Sequence, residues 1–427
     1  MYKEIAFEMV DFINSSPSAE FAVKGIKNRL SGENYEELFE NETWDIHEGG
    51  RYYFTRSDRS LIAFRIPCRE VYSYHAVMSH SDSPSLKLKP NFEIDTKEFK
   101  KLAVEKYGGP VLDSFFDTPL DIAGSVVLSC EDGVRKRLLR LENACMIPRI
   151  APHLSREQGT NPAVDMYPFY ATDKGSIAEK IADTLGVEKE DILSCDLYVV
   201  PSTRGIVWGE KNEFVSSPRL DDLQSVFTSF AGFLNSDETS AIPVLAVFDS
   251  EEVGNVGAEG AGSTLLEYTL ERISACLGKS REEHFAMLSE SFFVSADVAH
   301  AKHPNHPELY DSANAPVING GVAIKYNANK RYVTTSMSAA LFAKIANMAQ
   351  VPVQVYANRS DIPGGSTLGS DAQSIVSVLS IDIGAPILSM HSSFETAGAR
   401  DTEYLARVFE MFYSTSLEKV GDGYIIK

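Results

Sequence analysis

Four apolar, strand-like runs constrain this chain more than any other feature: "YSYHAVMSH" (72–80), "IPVLAVFDS" (242–250), "SFFVSADVAH" (291–300) and "GAPILSMHSS" (384–393). Each closes on, or leads straight into, a side chain able to bind a metal. Between them lie stretches of helical period. The clearest follows Asp221 and Asp222, where Leu223, Val226, Phe227, Phe230, Ala231 and Leu234 fall on one stripe. Another follows "DIPGGST" (361–367), and a third lies in "TEYLARVFEMFYSTSLEK" near the C-terminus. Strands alternating with helices imply an α/β fold with a largely parallel sheet covered on both faces. In such sheets ligands bind beyond the carboxyl ends of the strands. That is the end where the metal-binding side chains collect.

The middle of the chain follows another rule. Residues 86–215 carry short strand-like pieces broken by turn signals, "KYGGPVLDS", "FFDTPLDIAGSVVL" and "CEDGVRK" among them. Only "GSIAEKIADTLG" (175–186) has a clear helical pattern there. The expectation is a second, mostly β domain inserted into a discontinuous catalytic domain of residues 1–85 and 216–427. The N-terminal "MYKEIAFEMVDFINSS" reads as an amphipathic helix, since acids interrupt its apolar stretch.

Charge narrows the partners. A formal net charge of −20 argues against nucleic acid and anionic membrane. No run approaches the ~20 apolar residues that cross a bilayer. Cys68, Cys130, Cys145, Cys195 and Cys276 are scattered, odd in number and contain no C-x-x-C pair. That pattern suits reduced thiols, and with them a cytoplasmic location.

The constellation itself spans the chain. "SHSDSP" offers His80 and Asp82, "SPRLDDL" offers Asp221 and Asp222, "DSEEVG" offers Glu251 and Glu252, "SADVAHA" offers Asp297 and His300, and "MHSSFE" offers His391. Imidazole with carboxylate suits a borderline divalent ion, zinc first, with manganese or cobalt as alternatives. His80, Asp221, Glu252, Asp297 and His391 are too many ligands for one catalytic ion. They suit two ions sharing a bridging carboxylate, a pair about 3.5–4 Å apart with a hydroxide between them. One of the adjacent glutamates can then ligate while its neighbour stays free as a base.

Each piece alone has a plainer reading. Asp82 could cap a turn, Asp221 and Asp222 could be first-turn acids favoured by the helix dipole, and "EE" could be solvated surface. His303 and His306 read as a polar loop, and His47, His75 and His284 receive no functional role. The joint occurrence of the others at strand ends decides for a metal site.

The same blocks resemble the aspartyl aminopeptidase family of dinuclear zinc exopeptidases. "SHSDSP", "YGG", "DTPLDIAG", "IPRIAPHL", "SPRLDDL", "DSEEVG", "SADVAHA", "IKYNANKRY", "DIPGGSTLG" and "MHSSFE" run almost end to end. The resemblance implies a zinc exopeptidase-like fold of mixed, largely parallel sheet, with the insert serving dimerisation. It implies that His80 and Asp297 hold one zinc, that Glu252 and His391 hold the other, and that Asp221 bridges them. Asp82 would orient ligands, and Glu251 would be the general base and acid. His153 would reach a neighbouring subunit's site, Lys325 would meet acidic side chains of the substrate, and His300 would lie near it. Assembly into a tetrahedral dodecamer of dimers is implied as well.

The expected activity is therefore release of single N-terminal residues, Asp or Glu foremost, from peptides. Alternatives are a family member preferring neutral apolar N-termini and a related dinuclear amidohydrolase of N-acyl amino acids. A non-catalytic scaffold needs neither Glu251 nor the five ligands.

Overall fold

The computed structural model describes every residue except 1, 155–158 and 173. Its main sheet has nine strands, in the order Glu36–Glu37, Arg51–Arg56, Ser60–Arg65, Ala241–Phe248, Ser73–His80, Phe292–Ala296, Leu379–Gly384, Val322–Lys325, Val353–Tyr356. The four central strands, Ala241–Phe248 to Leu379–Gly384, run parallel. Antiparallel pairs flank them on both sides. This is the expected α/β architecture, mixed and largely parallel.

All eight residues of Ser73–His80 and all eight of Ala241–Phe248 are buried. Such strands read as unbroken apolar runs because helices cover both faces. Val77, Leu245 and Val247 pack on one side with the helices Tyr2–Asn14, Leu220–Asn235, Ser336–Met348 and Ala399–Tyr413. Ala76, Met78, Val244 and Ala246 turn to the other, against Leu265–Cys276 and Leu368–Ile375. The two-residue alternation of a strand makes this division.

The helix Leu220–Asn235 buries Leu223, Val226, Phe227 and Phe230 as its period predicts, and adds Phe233. Ala231 and Leu234 are only half-buried. On another face the helix crosses Ala399–Tyr413 so closely that a Cβ on Gly232 would sit 2.6 Å from the Glu410 nitrogen. The C-terminal helix stops at Tyr413, and a hairpin, Leu417–Val420 with Gly423–Ile426, follows it. Ser414 and Thr415 end the helix by donating to the carbonyls of Glu410 (2.7 Å) and Phe412 (2.9 Å).

One strand lies earlier than its apolar pattern suggests. Around 384–393 the main sheet is entered by Leu379–Gly384, and Pro386–Leu388 joins a different sheet. Asp382 masks the run in sequence. Its buried carboxylate is satisfied by the Val333 amide and the Thr367 hydroxyl, both at 2.6 Å.

A second, six-stranded antiparallel sheet is built wholly from strands between Ser85 and Pro201. It has its own core of Leu86, Leu102, Ile122, Val126, Leu197 and Val199. The helix Ile177–Leu185 packs on it, opened by the Ser176 hydroxyl accepting from the Glu179 amide and closed by Gly186 at φ +66°. Ile206–Trp208, within the expected span of the insert, and Phe214–Ser217, which straddles its end, pair in a third sheet with Glu395–Gly398. All five cysteines are free. Among the described residues, no helix is long and apolar enough to cross a membrane.

Candidate metal centre

Three neighbouring parallel strands deliver most of the site at their carboxyl ends. His80 is the last residue of Ser73–His80, Asp297 directly follows Phe292–Ala296, and Glu251 and Glu252 open a short turn just after Ala241–Phe248. Asp221 comes from the start of the helix Leu220–Asn235, and His391 from the loop before Glu395–Gly398. The backbone here adopts unusual conformations. A cis peptide joins Asp221 to Asp222, and Arg219, Ser250 and His391 hold φ of 60°, 64° and 66° without being glycine. Non-glycine residues persist there only where their surroundings over-determine them, and they collect at functional sites.

The side chains converge on Asp221. Its Oδ1 lies 3.3 Å from His80 Nε2, and its Oδ2 lies 3.2 Å from His391 Nε2. Asp297 Oδ1 is 3.8 Å from His80 Nε2, and Glu252 Oε1 is 3.4 Å from His391 Nε2. Ligand atoms of His80, Asp221 and Asp297 lie within 4.8 Å of one another, as do those of Asp221, Glu252 and His391. All five sequence-predicted ligands are thus brought together. Asp221 faces both groups with separate oxygens.

The donor set fits cations. Each imidazole has its Nδ1 beside a carbonyl, His80 against Asp82 O and His391 against Gly109 O, both at 3.1 Å. An Nδ1–H donating there leaves the Nε2 lone pair facing carboxylate oxygens. His80 Nε2 and Asp221 Oδ1 are buried without a hydrogen-bond partner. Burial also drives Glu251 and Glu395 up to about 8 and raises Glu252 and Asp222. Against that burial, His391 and His80 hold Asp221 below the ordinary carboxylate range. A buried carboxylate without a counter-charge costs several kcal/mol, a cost that a nearby divalent cation offsets.

Three other carboxylates hold the backbone of the site. Asp82 accepts the Glu251 amide on Oδ1 at 3.1 Å and the Glu252 amide on Oδ2 at 3.2 Å. Glu395 accepts the His391 amide at 2.7 Å and the Asp221 amide at 3.0 Å. Sequence reasoning gave Asp82 such a role and missed Glu395. The available signal was an acid inside the small, apolar "FETAGA" just past His391. Asp222 accepts the His80 amide at 3.2 Å.

Beside the ligands opens a cleft of about 340 Å³ that also contacts His300, Lys325, Tyr332, Tyr356 and Met390. Lys325 is buried, with Nζ 3.3 Å from Asp297 Oδ2 and 5.5 Å from the centre of the Tyr332 ring. Burial lowers its pKa, but Asp297 and Asp382 outweigh this and hold it charged. His300 is exposed at the cleft's edge. His153 is exposed and lies outside the residues lining this cleft in a single chain.

Residues 12–413 match the family described as Aminopeptidase I zinc metalloprotease (M18). A probable M18 family aminopeptidase 2 of Clostridium novyi is 40% identical, with 96% of this chain and 99% of that protein covered. Aspartyl aminopeptidase 1 of Schizosaccharomyces pombe is 33% identical over 96% of this chain and 95% of its own length. In a structure of the S. cerevisiae mApe1 dodecamer, a chain 26% identical superposes with a TM-score of 0.85, covering 96% of this chain and 97% of that one.

Proposed function

Because this chain belongs to the M18 family of zinc metalloproteases and is one of its aminopeptidases, a hydrolase, we propose that it releases single N-terminal residues, Asp or Glu foremost, from peptides with two zinc ions per subunit. The observation that carries this reading is Asp221, which presents one oxygen to each histidine. His80 and Asp297 would hold one ion and Glu252 and His391 the other, with Asp221 offering an oxygen to each. Manganese or cobalt would fit the same donors. Bound there, the ions supply the positive charge that acidifies water and polarises the scissile carbonyl.

The chain's own groups do the rest. Asp82 fixes the peptide of Glu251 and Glu252, so that one carboxylate turns to the ligand position and the other stays free. Glu251 takes the proton of the attacking water and passes it to the leaving amine. Lys325, charged and facing the cleft, favours an acidic side chain on the residue being removed. His153 of a neighbouring subunit steadies the carbonyl oxygen, and His300 lies along the substrate's path. The six-stranded sheet then serves as a dimerisation unit, and dimers build a tetrahedral dodecamer, as the dodecameric relative supports. The five free cysteines agree with a cytoplasmic site of action.

A second reading keeps the metals but prefers neutral apolar N-termini. Tyr332, Tyr356 and Met390 on the cleft wall favour it. Initial rates on peptides differing only in their first residue, Glu, Asp, Leu or Lys, with added zinc or manganese, decide. Fastest release of Glu or Asp is expected. Faster release of Leu would install the second reading, and no release from any peptide would remove both.

A further inference from the structure

We propose that the short segment Tyr107 to Val111, which leaves the six-stranded sheet at the end of the strand Lys100–Tyr107, is a clamp that sets the metal affinity of the centre, with Tyr107 its positioning residue. The proposal rests on the metal reading above.

The contacts reach both halves of the site. The Tyr107 hydroxyl donates to Asp82 Oδ2 at 2.8 Å, the same oxygen that accepts the Glu252 amide. Two residues on, Gly109 O lies 3.1 Å from His391 Nδ1, and the Val111 amide donates to His391 O at 2.9 Å. Between them Gly108 holds φ +68°, and a Cβ there would stand 3.0 Å from Glu252 Cβ and 3.2 Å from its Oε2. This five-residue segment thus bonds to Asp82 through Tyr107 and to His391 through Gly109 and Val111, and at Gly108 leaves no room for a side chain beside Glu252.

The two histidines differ in what orients them. His80 finds its carbonyl within its own loop, at Asp82. His391 finds it at Gly109, a residue carried by the six-stranded sheet. A carbonyl on Nδ1 fixes the tautomer and ring plane of an imidazole ligand. Orientation of the His391 side of the centre therefore comes from another sheet. The Tyr107 ring is in turn held by Tyr198 of that sheet, edge to face with centroids 5.3 Å apart. Its hydroxyl is aimed by the sheet and acts on the centre through Asp82.

Tyr107→Phe keeps the ring and deletes only the hydroxyl. Tyr170→Phe is the control, since the Tyr170 hydroxyl bonds to Glu93 and Gly175 within the same unit. Zinc affinity of each metal-free full-length chain is measured by competition with a chromogenic chelator, beside the wild type. Loss of about 10-fold or more is expected for Tyr107→Phe, with excess zinc restoring turnover. Tyr170→Phe should match the wild type. Wild-type affinity in a folded Tyr107→Phe chain would overturn the clamp, and so would equal weakening by Tyr170→Phe. If Tyr107→Phe does not fold, Gly108→Ala replaces it, pressing on Glu252 with the same expected loss, and unchanged affinity overturns the clamp. A wild-type chain that takes up no zinc would instead sink the metal reading beneath it.

Discussion

The ammonium of Lys325 stands 3.3 Å from Oδ2 of Asp297, both side chains buried at the edge of the cleft. One cation thus faces an expected metal ligand and the place where a substrate would lie. Lys325→Met keeps the length and removes the charge. Losing one partner of a buried charge pair with the substrate, here Lys325 with a Glu side chain, costs about 2–5 kcal/mol. The ratio of kcat/KM for a Glu peptide over a Leu peptide should therefore fall about 30-fold or more. An unchanged ratio would assign Lys325 to holding Asp297 alone.

Glu251 is expected to move protons and not to ligate. Glu251→Gln should retain the full metal content while turnover falls about 10²–10⁴-fold. Metal analysis beside steady-state rates checks this. Turnover at the wild-type rate would remove Glu251 from the mechanism.

Glu395 joins Asp221 to His391 through their amides. In Glu395→Gln, one amide N–H must face an NH2 group, leaving donors opposed. A stability loss of about 1–3 kcal/mol is expected from the broken bond. Metal affinity should drop about 10–100-fold, because Glu395 orients two ligands. Urea unfolding with and without chelator separates the two effects. Identical midpoints for mutant and wild type in both conditions would reduce Glu395 to a bystander.

His75 lies wholly inside the main sheet, its ring stacked on Phe412 at 4.8 Å and its Nδ1 at 3.1 Å from the Phe412 carbonyl. Burial pushes its pKa down to about 4. Between there and the ordinary histidine value near 6.5, only the unfolded chain takes up the proton. This histidine therefore stabilises the fold fully above about pH 6.5, and its contribution is lost as pH falls toward 4, up to about 3 kcal/mol. His75→Asn keeps a donor and cannot titrate. Unfolding free energies at pH 7 and 4.5 should differ less in the mutant than in the wild type. Equal differences would place the acid sensitivity elsewhere.

Much of the architecture was legible because its signals are local. The stripe from Leu223 to Phe230 and the unbroken run of Ala241–Phe248 each lie within a short window. His80, Glu252 and Asp297 stood out for a related reason: a polar side chain at or just past the end of a buried strand is conspicuous, whereas Asp221 opens a helix and His391 lies in a loop. Leu379–Gly384 was misplaced because Asp382 breaks its apolar run, and the Val333 and Thr367 partners that make this acceptable are distant in sequence.

By itself, then, the sequence determined the alternation of strands and helices, the chemical class of the donors, and the end of the sheet where they gather. These follow from periodicity and side-chain type, which need no neighbours. The tertiary structure alone decided that Gly109 and Glu395 hold those donors in place. Gly109 meets His391 across 282 positions, and Glu395 meets Asp221 across 174. A hydrogen bond over such a span has no local trace, because its partners become neighbours only after the sheets have packed.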